Sequence, residues 1–236
     1  MQVQDNKSIR SLIRLLESKK YILYSKPYQL NIVGVRHNGT VPNKFDDKMY
    51  VFWKNDTGKC EGKVFNITTD PGTFWLNNPM SPQGTAILKE GQYVGAWKIG
   101  MHQGKYKALT QAKPITVYRD YDRNAVLDFN NGKEETGMFG INIHRANAVG
   151  TTKVIDKYSA GCNVFENAED FAKFLALCDK QEALYGNSFT YTLVDERAYL
   201  RAFKRKTSYA LIAIIAVASI YVGYRFYKGK PIIPNF

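Results

Sequence analysis

The chain has 236 residues, 44% of them hydrophobic and 23% charged, with 33 Lys and Arg against 21 Asp and Glu for a net charge of +12. That balance excludes a disordered or collagen-like chain and bounds the body to one domain of ordinary size with appendages. Three cysteines, Cys60, Cys162 and Cys178, leave at least one thiol free, which excludes a disulfide-stapled secreted scaffold.

An amphipathic helix is predicted within residues 1–20, where Ile9, Leu12, Ile13, Leu15 and Leu16 recur between Arg10, Arg14 and Glu17. Its charges argue against a secretory signal, and it is expected to pack on its own domain. From Tyr21 to about Ile143, short apolar and aromatic runs alternate with turn signals. Residues 29–36, 48–54, 63–69, 93–100 and 114–120 read as strands, and Asn38-Gly39 and Asp56–Gly58 carry hairpin turn chemistry. The body, 21–196, is therefore expected to be mainly β with a few helices, a meander or barrel-like sheet.

Residues 120–131, DYDRNAVLDFNN, space Asp120, Asp122, Asn124 and Asp128 like a calcium loop. Ala125 stands where such a loop needs glycine, and Asn131 where it needs an acid, so a polar hairpin is expected and no metal site. After Cys162, FENAEDFAKFLALCDK predicts a helix capped by Asn167, with Phe171, Phe174, Leu175 and Cys178 on its buried face. SFTYTLVD, 188–195, predicts a closing strand.

Beyond it, 197–207 reads as a basic linker, 208–227 as a transmembrane helix and 228–236 as a short tail. Tyr209 to Tyr224 carries no charge, and Tyr221, Tyr224, Phe226 and Tyr227 resemble an interfacial belt. From Asp195 onward eight basic residues face only Asp195 and Glu196, so half of the excess charge flanks this apolar run. That placement points to a lipid membrane as partner, with a single C-terminal span, and not to nucleic acid. Five of the eight precede the run, a bias that keeps the body on the side where it was made.

No CxxC, HExxH, GxxxxGK[ST] or GxSxG occurs, so neither a structural zinc nor any other cofactor is expected. What remains is 137–165. There Gly140-Ile141-Asn142-Ile143-His144 places His144 at the end of a strand, and fourteen residues later comes Ser159-Ala160-Gly161-Cys162. A thiol near its usual pKa of about 8.5 is a weak nucleophile that a nearby imidazole can hold as thiolate. Gly161 allows a tight turn that presents backbone amides to a developing oxyanion. On residue chemistry alone, a catalytic pair and an incidental one both stay open.

In order along the chain, Thr69-Asp70-Pro71-Gly72-Thr73-Phe74, the GINIH strand, Ser159-Ala160-Gly161-Cys162 and Asn167-Ala168-Glu169-Asp170 together resemble the L,D-transpeptidase catalytic domain. The resemblance covers roughly Tyr50 to Cys178. It implies a β-sandwich or barrel with few helices. The implied activity is attack of a cysteine thiolate on a carbonyl of a peptidoglycan stem peptide, followed by transfer of the acyl group to an amine. On this chain Cys162 would be the nucleophile, His144 the general base, the Gly161 and Cys162 amides the oxyanion donors and Ser159 a support of the turn. His102, Arg145 and Asn163 are the candidates for contacting substrate.

Two positions depart from the family pattern. Ala160 stands where the family has His, and Val164 where it has Arg or Asn. With a poor acceptor site, water would resolve the acyl-enzyme and the protein would be a peptidase. The competing expectation is a non-catalytic, membrane-anchored structural or binding protein. Peptidoglycan lies outside the cytoplasmic membrane and no export signal is expected, which suggests a phage-encoded protein that awaits lysis or sits in a membrane-containing virion. Its partners would then be peptidoglycan, a lipid membrane and other virion proteins.

Overall fold

The computed structural model describes residues 6–129, 133–204, 224 and 228. Helix α1 (Asn6–Ser18) precedes strands β1 (Asn31–Arg36), β2 (Asp47–Lys54) and β3 (Cys60–Thr68). A short helix, α2 (Thr73–Asn77), leads to β4 (Thr85–Leu88), β5 (Gly91–His102), β6 (Tyr106–Gln111), β7 (Ile115–Asp120) and β8 (Glu134–Gly137). Strands β9 (Ile143–Arg145) and β10 (Asn163–Phe165), helix α3 (Ala168–Tyr185) and strand β11 (Phe189–Asp195) complete the series.

The strands β1-β11-β5-β6-β9-β10-β3-β2 close into a barrel, and β4-β7-β8 form a separate three-stranded sheet. Most neighbours are antiparallel, but β1 pairs with β11 in parallel, and so does β9 with β10. An eight-stranded barrel is just wide enough for side chains to fill. Here Met49, Phe65, Trp97, Leu109, Ile143, Phe165 and Tyr191 belong to one buried cluster.

Strand β1 is buried at every position because both of its faces are covered. Ile32 joins the main cluster, while Val33 and Val35 pack with Ile9, Leu12, Leu15 and Leu16 of α1. The segment read as a basic linker begins as helix at 196–204, and its Tyr199 is buried in the same second cluster.

Helix α3 covers another part of the wall. Asn167 caps its start by accepting from the Glu169 and Asp170 amides, satisfying donors that the first helical turn leaves open. Phe171, Phe174 and Cys178 are buried, with the Phe174 ring 5.1 Å from that of Phe165. Fully burying each such phenylalanine stabilises by about 1.5–3 kcal/mol.

The expected transmembrane helix is corrected. Among the described residues no helix is long and apolar enough to cross a membrane. The longest, α3, has 18 residues, yet it carries Glu169, Asp170, Lys173, Asp179, Lys180 and Glu182 along its length. Apart from Tyr224, residues 208–227 lie outside the described residues. The expected fold with a C-terminal span and the membrane localisation that rested on it are both withdrawn.

Candidate active site

The Ser159-Ala160-Gly161-Cys162 turn is held from within. The buried Ser159 hydroxyl donates to the Cys162 carbonyl at 2.8 Å and accepts from the Gly161 amide at 3.2 Å. Gly161 has φ +112, and a Cβ there would stand 2.1 Å from the Ala86 carbonyl oxygen of β4. Only glycine fits both constraints.

The Thr69–Phe74 turn packs directly on this one. The Gly72 amide donates to the Ser159 carbonyl at 2.9 Å, and a Cβ at Gly72 would lie 2.0 Å from the Asp156 oxygen. Asn43 bridges the two segments through its Oδ1, which accepts from the Thr73 and Asp156 amides. Trp75 adds a third tie by donating from its indole to the Lys157 carbonyl at 3.1 Å. Two motifs some ninety residues apart in the sequence thus form one piece of structure.

Two histidines meet on the adjoining wall. The His102 and His144 rings are stacked, with centroids 4.0 Å apart and planes 19° from parallel. His144 Nδ1 donates to the Arg145 carbonyl at 2.8 Å, which leaves its Nε2 with the lone pair. Tyr106 donates to the same carbonyl and lies 3.1 Å from His144 Nδ1. Asn142 accepts from the Gln111 amide through Oδ1, so its Nδ2 is the group that donates to His102 Nδ1 at 3.0 Å. That bond fixes the His102 proton on Nε2. Burial, with His102 and Arg145 nearby, pushes the His144 imidazole down to about 3, and burial beside Lys105 lowers His102 as well.

Cys162 lies beside this pair without joining it. Its Sγ accepts from the Asn142 amide at 3.4 Å and donates to the Gly140 carbonyl at 3.6 Å. The parallel register sets Asn163 against Ile143 and Val164 against His144, so Cys162 flanks Asn142 instead of His144. Among the described residues no hydrogen bond joins Sγ to an imidazole. The thiol is set deep, although the residue keeps some contact with solvent. Burial pushes it up to about 11, against a partial counterweight from the Asn142 amide. At neutral pH the pair is therefore a thiol and a neutral imidazole.

Of the two expected oxyanion donors, the Gly161 amide is committed to Ser159, which leaves the Cys162 amide for that role. Ala160 lines a cleft of about 180 Å³ together with Trp75, Met80, Thr85, Arg119 and Phe139. His102 does not occupy that cleft. Arg145 holds its guanidinium 4.3 Å from the centre of the Tyr106 ring. Asn163 is turned into the barrel, where its Oδ1 accepts from Tyr191 at 2.8 Å, and so it does not face a substrate.

No protein-family model matches this chain, and no curated protein or solved structure matches it either. The site must therefore be read from its own residues. Two of those, Tyr106 and Asn142, were not among the sequence candidates. Asn142 carried a signal, since it stands two positions before His144 in the segment expected to be a strand, where alternate residues share a face, although β9 itself begins at Ile143. Among the described residues the metal-ligand types that converge lie elsewhere, at Asp120, Asp122 and Asp128.

Proposed function

We propose that the protein is a cysteine acyltransferase or peptidase acting on peptidoglycan stem peptides, with Cys162 as nucleophile and His144 as general base. The observation that carries this reading is the meeting of the Thr69–Phe74 turn, the GINIH segment and the Ser159–Cys162 turn around the Cys162 thiol. In the proposed reaction the sulfur attacks an acyl carbonyl, the amine leaves with a proton, and the thioester passes its acyl group to another amine or to water. The Cys162 amide would face the oxyanion. The cleft beside Ala160 would take a side chain of the stem. A phage origin, with use in lysis or wall entry, is the setting this reading suggests.

One observation favours a second reading. A neutral thiol whose hydrogen bonds go to backbone is a resting state without an activated nucleophile, as expected of a non-catalytic binding domain. The test is incubation of the full chain and its Cys162→Ala variant with purified peptidoglycan, followed by mass analysis of the muropeptides. New cross-links or cleaved stems made only by the unaltered protein are expected. Unchanged muropeptides and no acyl adduct on Cys162, with both proteins folded, would sink the enzymatic reading.

A further inference from the structure

We propose that Asp120, Asp122 and Asp128 form a calcium site at the end of β7, apart from the cysteine site. Each of the three offers a carboxylate oxygen, and these oxygens all lie within 4.8 Å of one another. Oxygens bound to one Ca²⁺ at about 2.3–2.6 Å stand no more than about 5 Å apart, so the spacing fits a shared ion.

The second observation comes from Asp120 itself. The residue is 1% exposed, and its Oδ1 is buried with no hydrogen-bond partner among the described residues. A buried carboxylate oxygen with no partner is costly, and a cation among the three carboxylates removes that cost. Its other oxygen accepts from the Asp128 amide at 3.1 Å, which folds the loop back on its own beginning. Asp122 is exposed and oriented by Asn124, whose Nδ2 donates to it at 2.6 Å. Two arginines adjoin the acids in sequence. Arg119 is committed to Glu135 at 2.7 Å and to the Gly84 carbonyl, and the charges that act most on Asp120 are those of Asp122 and Asp128 and not that of Arg123. Among the described residues, like charges therefore gather at Asp120 and Asp122 without an ion pair to a protein cation.

The donor set is all oxygen, with Asp122 open to solvent for water ligands. That suits a hard cation with flexible coordination, which is Ca²⁺ before Mg²⁺ and not a transition metal. Its grip would tie down the loop that carries Leu127, buried with Leu76 and Ile87, and Phe129, whose ring lies 5.0 Å from the Arg36 guanidinium carbon. The sequence pattern argued against this because it was compared with a twelve-residue loop. The three acids converge without the glycine and terminal acid that such a loop requires.

The experiment is calorimetric titration of CaCl2 into the full chain stripped with EDTA, repeated on Asp122→Asn, whose exposed position spares the fold. Saturable binding with a Kd of about 10⁻⁴–10⁻³ M is expected, weakened at least about tenfold in the variant. Terbium should give luminescence sensitised by Tyr118 and Tyr121, and Ca²⁺ should quench it by competition. Two outcomes would overturn the proposal. One is no saturable heat up to about 10 mM Ca²⁺, as when a proton shared by Asp120 and Asp122 satisfies the site. The other is equal affinity in folded Asp122→Asn, which would put the ion elsewhere.

Discussion

Burial holds the Cys162 thiol at about 11 and the His144 imidazole at about 3, so each group resists the charge that a thiolate–imidazolium pair would require. The pH dependence of alkylation reads this directly. A thiol with a raised pKa is protonated across the neutral range, and its thiolate fraction climbs about tenfold per pH unit below the pKa. Iodoacetamide labelling of Cys162, followed by mass spectrometry of its peptide, should accelerate from pH 7 to 10 by about that factor per unit, without a plateau. A preformed ion pair would instead give a rate that is already flat at neutral pH. Such a plateau would mean that Sγ and His144 Nε2 approach each other in solution more closely than their hydrogen bonds here allow. Cys60, also raised by burial, serves as an internal reference in the same digest.

At the scale of elements, the Ser159–Cys162 turn depends on β4 as much as on its own residues. Replacing Gly161 by Ala forces a side chain into a positive-φ conformation, which costs about 1–3 kcal/mol. It also drives the new methyl against the Ala86 carbonyl, 2.1 Å away, so β4 or the turn must move. Gly161→Ala should lower the unfolding free energy by about 2–4 kcal/mol in urea titrations. An unchanged midpoint would show that the turn is not locked to β4.

The sequence marked these elements unevenly. Strands β1, β2, β3, β5 and β7 and helix α3 were legible because apolar and aromatic residues recur at strand or helix spacing between turn signals and an Asn cap. Strand β8, EETG, was not, since it is an edge strand with three exposed polar residues and no hydrophobic period to detect. The parallel pairing of β1 with β11 was hidden for another reason: it joins the two ends of the body, which no local pattern reports. The site divides the same way. Cys162 and His144 could be named from motif order, but the His102–His144 stack depends on a single register pair, Leu109 with Ile143. The basic segment after Asp195 looked like a linker because its charges mask the spacing of Ala198, Tyr199, Ala202 and Phe203, which all pack on the second cluster.

Across the whole molecule, the buried Arg36 ties the barrel to the site turn and to the connection between β4 and β5. Arg36, at the end of β1, pairs with Asp70 at 3.0 Å and with Glu90 at 3.0 Å and donates to Thr69 Oγ1 at 2.9 Å. Asp47 completes the group by accepting from the His37 and Thr69 amides. Burial raises both Asp47 and Asp70, and Arg36 is the main charge that opposes this rise. Removing Arg36 should therefore raise both carboxyls further. A folded-state pKa above its unfolded value contributes stability at low pH, which is lost as pH rises through the folded value. Asp70 stands at about 8 beside Arg36. Arg36→Met should then cost about 3–5 kcal/mol at pH 9, where Asp70 is ionised against its cation in the unaltered protein and must take up a proton or stand unpaired in the variant. The cost should be distinctly less at pH 6, where Asp70 holds a proton in both. Urea unfolding of both proteins at the two pH values measures the difference. An equal penalty at pH 6 and pH 9 would mean that Arg36 acts through packing on Phe129 and not through charge, and the carboxylate cluster would have to be neutralised by other means.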